Sequence, residues 1–194
     1  MIDFIQNITQ KIQKVLFILF YSPSFKKFGR KSTLVFPFRI NGAKFISIEK
    51  KVHVNEGSWM LAHKISEKDP VIKIGSGSYI GRFVHIVSVN EIDIKDNALI
   101  ADKVYISDNA HDYKDVNAII KDQDILDHGP VVIGENTWLG ENVCVMGASI
   151  GKHCVIGANA VVINDIPDYS IAVGSPAKVI RKYDDSSKKW EKVN

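Results

Sequence analysis

Acidic residues are almost missing from the first forty positions. Asp3 stands alone there against Lys11, Lys14, Lys26, Lys27, Arg30, Lys31 and Arg39, which leaves residues 1–40 at +6. With an overall charge of +3, the other 154 residues carry about −3. A basic end on a near-neutral body points to an anionic surface, lipid or glycan, rather than to nucleic acid. Cysteine is scarce: only Cys144 and Cys154 occur, with no Cys-x-x-Cys spacing. This argues against a zinc ribbon, a redox motif and a disulfide scaffold, and fits two reduced thiols in a reducing compartment. Long apolar runs are also missing. Val15–Tyr21 is apolar all round, but a span needs about 20 residues, and Lys11 and Lys14 stop its extension. It does not read as a secretory signal either. No glycine-rich phosphate loop and no Gly-x-Ser-x-Gly elbow occurs, so covalent nucleophilic catalysis has little support.

What the chain does have is a beat of six. Ile48, Val54 and Met60 keep it, as do Ile74, Ile80 and Ile86, then Ile94, Ile100 and Ile106. It resumes at Ile133, Leu139 and Val145, and again at Ile150, Ile156 and Val162. Two positions before most of these sits a second small or branched residue, such as Val52, Ser78, Ala98, Thr137 and Cys154. Helices repeat at 3.6 and ordinary strands at 2, so neither yields this period. A parallel coil of short strands with one inward aliphatic per side does. Fifteen hexads at three per turn predict about five turns, roughly 20–25 Å tall.

The rest of the chain is placed around that coil. Ile2, Ile5, Ile8, Ile12, Val15, Leu16 and Leu19 recur at helical spacing and predict one amphipathic helix, ended by Ser22-Pro23-Ser24. Such a helix packs on the end of the coil, or lies on a membrane or a partner subunit. Residues 31–47 read as a lead-in. The beat fails at residues 61–73, at 87–93, at 112–130 and in the short step from Val145 to Ile150. Segment 112–130 reads as a protruding loop of functional use. Gly140, Gly147, Gly151 and Gly157 follow aliphatics at corners, where small residues or positive φ are needed.

His111 ends the last hexad before that loop, at an outward corner position, which suits a general base acting on a hydroxyl. Asp108, Asn109 or a carbonyl is expected to orient its ring. His85 either lines an acceptor pocket near His111 or is an exposed residue. No two histidines have ligand spacing, so no metal is expected. Trp138 stands just after the loop, where it stacks on a ligand or shields the loop base.

These residues resemble a family. The hexads from Ile74 to Val162, Ile106-Ser-Asp-Asn-Ala-His111, Trp138-Leu-Gly140, Ile156-Gly-Ala-Asn-Ala-Val-Val162 and Val173-Gly-Ser-Pro-Ala-Lys178-Val-Ile-Arg181 look like hexapeptide-repeat acyltransferases. The likeness is closest to bacterial sugar O-acetyltransferases of the galactoside/maltose and lipopolysaccharide O-acetyl group, over residues 40–182. It implies an all-β fold: a left-handed parallel β-helix with an N-terminal helix, the protruding loop and a short C-terminal extension. It implies a homotrimer with sites between subunits, and acetyl-CoA as donor to a sugar hydroxyl in surface polysaccharide biosynthesis. By the same resemblance His111 is the catalytic base, and the backbone N–H of Glu141 faces the thioester oxygen. Asp108, Asn109 and His85 are assigned to the acceptor. Trp138, Gly140, Ala158, Ile163, Asn164, Lys178 and Arg181 are assigned to acetyl-CoA. The expected organisation is 1–40 for the helix and lead-in, 41–182 for the acyltransferase domain, and 183–194 for a polar tail. The expected location is cytoplasmic, with residues 1–31 able to touch the inner face of the membrane. Departures are clear. The Asp-His-Asn-His run of many relatives is Asp108-Asn109-Ala110-His111 here, and Asn164 replaces a common Lys. Two competing readings are a non-catalytic β-helix for assembly or binding, and a xenobiotic acetyltransferase.

Overall fold

A computed structural model describes residues 2–193, and for residues 2–7, 10, 13 and 14 the backbone alone. The expected apolar contacts of Ile2 and Ile5 therefore lie outside the described residues. The chain winds as a three-faced prism of short parallel strands. Face A stacks Lys27–Phe28, Ile46–Ile48, Val71–Ile74, Glu91–Ile94 and Val131–Ile133, continued by bridges at Ile150 and Ile166. Face B stacks Thr33–Leu34, His53–Val54, Tyr79–Ile80, Leu99–Ile100, Trp138–Leu139, Val155–Ile156 and Ser170–Val173. Face C stacks Arg39–Asn41, Trp59–Ala62, His85–Ser88, Tyr105–Ser107, Cys144–Met146 and Val161–Val162.

The six-residue beat becomes three internal columns. On face B, Leu34, Val54, Ile80, Ile100, Leu139 and Ile156 pair in register from turn to turn. On face C, Met60, Ile86, Ile106, Val145 and Val162 do the same. None of the fifteen aliphatics of the beat exposes more than 1% of its surface. Each such side chain contributes about 1.5–3 kcal/mol of burial, an upper figure because the unfolded chain is itself partly compact. The second inward position explains its small polar residues. The Thr137 hydroxyl donates to the Gly151 carbonyl at 2.7 Å and accepts from the Cys154 N–H at 3.1 Å. Ser78 bridges Lys95 and Ala98 in the same way. The corners thus satisfy their polar groups inside the wall. Burial raises the Cys154 thiol above its ordinary pKa, in keeping with an inert core residue.

Several expectations need correction. The coil has six complete turns and a seventh begun, not five, because residues 27–41 form the first turn rather than a lead-in. Phe28, Leu34 and Ile40 already keep the beat. The expected polar tail, residues 183–194, is partly in strands. Lys178–Asp184 turns back antiparallel on the last strand of face B, and Lys189–Lys192 pairs with it, with Trp190 against Tyr183. Of the four corner glycines, only Gly147 has positive φ. Gly140 is needed for another reason: a Cβ there would fall 2.7 Å from the Ala158 nitrogen in the next turn. The left-handed conformation falls instead on Lys31, Lys51, Asn97, Asn136, His153 and Tyr169 between faces A and B, and on Phe36, Phe83, Lys103, Asn142 and Asn159 between B and C, of which the asparagines and the histidine are the types that tolerate it best.

Every expected break in the beat falls on one edge, the corner where face C passes to face A. There the chain makes the 63–70 excursion, the widened corner at Val89-Asn90, the long insertion after Ser107 and the short step at Gly147-Ala148-Ser149.

Candidate functional site

The C–A edge is built around Asp108, which is fully buried. Its carboxylate accepts the Ser88 hydroxyl at 2.6 Å, the Val89 N–H at 2.8 Å, the Asn90 N–H at 3.0 Å and the Asn109 amide at 2.9 Å. Two breaks in the repeat are therefore mates: the widened corner wraps the carboxylate that opens the insertion. The network continues outward. Asn90 donates to Asp127 at 2.8 Å and accepts from Lys68 at 2.6 Å, while the Asp108 carbonyl accepts the His128 N–H at 2.8 Å. Buried charge is stable only when saturated with donors in this way.

From that base the insertion rises as a hairpin. Asn109–His111 pairs antiparallel with Ile125–Asp127, and His111 sits opposite Ile125. Beyond them Gln123 holds the loop together, accepting from the Asp115 N–H and donating to the Asp115 and Ala118 carbonyls. Gly147 passes beneath, where a Cβ would fall 2.8 Å from the His128 Cβ. His111 is exposed, on a regular strand at the hairpin root. The arrangement sets the His111 backbone on a paired strand and leaves its imidazole open to a solvent-side ligand, as general-base chemistry requires.

The three residues expected at the acceptor lie in different surroundings. The Asp108 carboxylate has no free face and cannot meet a ligand. The Asn109 Nδ2 donates to Asp108 and to the Val87 carbonyl at 3.1 Å, so both of its N–H donors are used within the protein. His85 starts its strand at the end of face C away from the edge. There it stacks flat on Trp59, at 4.2 Å and 9°, with Tyr105 on its other side. Burial lowers its pKa below the ordinary histidine value, and its Nε2 has no protein partner. Neither Asp108 nor Asn109 orients the His111 ring through its side chain.

The sequence reading missed the opposite wall of the edge. A cleft of about 580 Å³ lies between His63-Lys64-Ile65 and Gln123-Asp124-Ile125, the last being the cross-strand partner of His111. Its signal was the 61–73 interruption, whose individual residues carried no motif. Lys64 pairs with Asp69 at 2.8 Å and holds that carboxyl below its usual range.

The remaining assignments divide between two places. Ile163 and Asn164 are exposed on the C–A edge, above the insertion. Trp138 is exposed on face B, and Gly140, Glu141 and Ala158 lie at the corner between faces B and C. Trp138, Val155, Ile171 and Arg181 follow one another in register across face B, so Arg181 lies about 14 Å above the indole. In a three-faced prism, face B lies opposite the C–A edge. One chain thus does not bring His111 and Trp138 together. Among the described residues, no three His, Cys, Asp or Glu side chains converge as a metal-ligand set.

Comparison with known proteins agrees with this architecture. Residues 130–164 match the family model described as the hexapeptide repeat of succinyl-transferase. A protein of Mycobacterium tuberculosis named as a probable acetyltransferase is 42% identical over 137 residues, 70% of this chain and 44% of that one. WbbJ of Escherichia coli K12, named for O-acetyl transfer in lipopolysaccharide biosynthesis, is 40% identical over 130 residues, 63% of this chain and 66% of that one. The chain is similar to the hexapeptide-repeat acetyltransferases. The match covers less than two thirds of either relative's length. Among solved family structures, the acetyltransferase VCA0836 of Vibrio cholerae, complexed with acetyl coenzyme A, superposes with TM-score 0.56 at 25% identity, over 84% of this chain and 74% of that one. The N-acyltransferase AntD of Bacillus cereus, in complex with dTDP and 3-hydroxybutyryl-CoA, shares the fold with TM-score 0.71 at 19% identity, over 81% and 83%. The coil is the left-handed parallel β-helix of this family.

Proposed function

We propose that this protein moves an acetyl group from acetyl-CoA to a sugar hydroxyl in surface polysaccharide biosynthesis, with His111 as general base. The observation that carries the reading is the exposed imidazole of His111 on a strand tied to the buried Asp108 network, beside the cleft of His63 and Gln123. The family and the name of the E. coli relative support acyl transfer to a saccharide. Face B suits the donor: an exposed indole at Trp138 lies in line with the cationic strand bearing Lys178 and Arg181, an apolar end and a phosphate-binding end for one elongated ligand.

The chemistry is direct transfer. The His111 imidazole takes the proton of the acceptor hydroxyl as that oxygen bonds to the thioester carbonyl carbon. The backbone N–H of Glu141 stabilises the oxyanion, and a donor of this kind is worth about 3 kcal/mol of barrier. The C–S bond then breaks, and the thiolate recovers the proton from the imidazolium. The insertion 112–130 closes over the acceptor and excludes water.

His111 and Trp138 lie on opposite sides of one prism, so the site is completed by a neighbouring copy, in a homotrimer. The faces suit that role. Face A carries exposed ion pairs, Lys73–Glu91 and Lys95–Asp93, of the kind worth under about 1 kcal/mol. Face C carries the half-buried stack of Trp59, His85 and Tyr105, and face B exposes Tyr79, Leu99 and Trp138. The test is a panel of sugar acceptors with acetyl-CoA, read by thiol release, beside calorimetric titration of acetyl-CoA. Binding with release on a saccharide is expected. No heat and no release would leave a non-catalytic scaffold, and release on drug acceptors alone would make it a xenobiotic enzyme.

A further inference from the structure

Among the described side chains of the N-terminal helix, Ile2–Phe20, Phe17 makes the ring contacts with the coil. Phe17 packs on Phe25 and Phe28 at the open end of the first turn, with ring centroids 6.1 and 5.9 Å apart. At about 100° per residue, Ile8, Ile12, Val15 and Leu19 all fall within about 40° of the line directly opposite Phe17. All four are exposed, Leu19 by 64%. The apolar stripe that the sequence offers for packing on the coil is thus turned away from it. Leu16, Ile18 and Phe20 are exposed as well, and the neighbouring first turn exposes Phe36 and, by 75%, Phe38. A groove of about 510 Å³ lies between helix and coil, lined by Phe17, Tyr21, Phe25, Phe36 and Phe38, with Arg39 at its side. So many large apolar side chains left open on one helix and the first turn imply an occupant.

The charge around it decides which occupant. Lys11 lies about 60° round the helix from Ile8, and the following segment exposes Lys26, Lys27, Arg30 and Lys31, of which Lys27 pairs with Glu49 at 2.6 Å. No helix among the described residues is long and apolar enough to cross a membrane. An apolar stripe flanked by cations, on a helix that cannot span, is built to lie in the headgroup region of an anionic bilayer. We infer that this protein docks on an anionic lipid surface through residues 8–38, with the helix in the interface plane and the prism standing above it. The His111 hairpin leaves the coil three turns above the first, about 14 Å along the prism axis.

The test is co-sedimentation of the full chain with vesicles of phosphatidylglycerol mixed into phosphatidylcholine, and with pure phosphatidylcholine. Binding to the anionic vesicles is expected, weakened by added salt. Val15→Glu with Leu19→Glu should abolish it. Lys11→Glu with Arg30→Glu, which leaves the stripe intact, should weaken it about tenfold or more. Thermal melting of each variant checks that the coil is unchanged. Equal binding to both vesicle types, or undiminished binding by both variants, would overturn the proposal. So would loss of oligomeric mass in Val15→Glu with Leu19→Glu by a protein that ignores vesicles, because the stripe would then be covered by a second copy.

Discussion

The Ser88 hydroxyl donates to the Asp108 carboxylate at 2.6 Å, joining the corner of one turn to the start of the insertion in the next. With Val89, Asn90 and Asn109 it saturates a charge that has no access to water. Asp108 therefore acts on His111 through the backbone, by fixing where the hairpin leaves the coil.

Removing that charge should be costly. Asp108→Ala leaves buried N–H groups of Val89 and Asn90 without partners, at about 1–3 kcal/mol each. The expected result is a thermal midpoint several degrees lower, and a hairpin open to limited proteolysis near 112–124. Asp108→Asn keeps an acceptor oxygen and should cost less than Asp108→Ala. An unchanged melt in Asp108→Ala would show that the network is decorative.

His85 gives a pH dependence. Its folded pKa is depressed because burial between Trp59 and Tyr105 penalises the charged ring. The neutral ring is common to both states well above pH 6.5, so stability there is indifferent to this group. As pH falls through the unfolded value near 6.5, the unfolded chain takes up a proton that the folded chain resists. Stability therefore drops, and levels off once pH passes below the folded pKa. His85→Phe should remove this acid limb from a plot of melting midpoint against pH. A limb of the same size in that variant would assign it elsewhere.

Much of this was legible in the sequence, and for a definite reason. Ile100 and its column mates must point inward every sixth residue, so periodicity reports them directly. The first turn escaped notice although Phe28, Leu34 and Ile40 keep the same spacing, because the run of cations around them reads as solvated surface. The role of Asp108 was not legible. Nothing in a linear sequence distinguishes a carboxylate facing a ligand from one folded beneath the corner of the previous turn, and only the pairing of Ser88 with Asp108 across turns decides it. The outward direction of the Ile8–Leu19 stripe was hidden too. Periodicity predicts that a face exists, and the packing of Phe17 with the exposure of Ile8, Ile12, Val15 and Leu19 shows which way it looks.

The placement of His111 and Trp138 on opposite sides of one prism has a direct consequence for the proposed trimer. His111→Ala and Trp138→Ala should each be nearly inactive alone. Co-assembled from a denatured mixture, some neighbouring pairs would carry both wild-type residues and recover activity. Acetyl release by the mixed oligomer, separated by tags on the two variants, checks this. No recovery in oligomers shown to contain both chains would mean that the two residues do not share a site.

The most direct test of the central claim is the rate of thiol release from acetyl-CoA, in the presence of an accepted sugar, by wild-type protein and by His111→Ala. Loss of the general base should lower turnover by about 10²–10⁴-fold, while acetyl-CoA binding and the melting midpoint stay near wild type. Turnover unchanged in a folded, acetyl-CoA-binding His111→Ala protein would contradict the account.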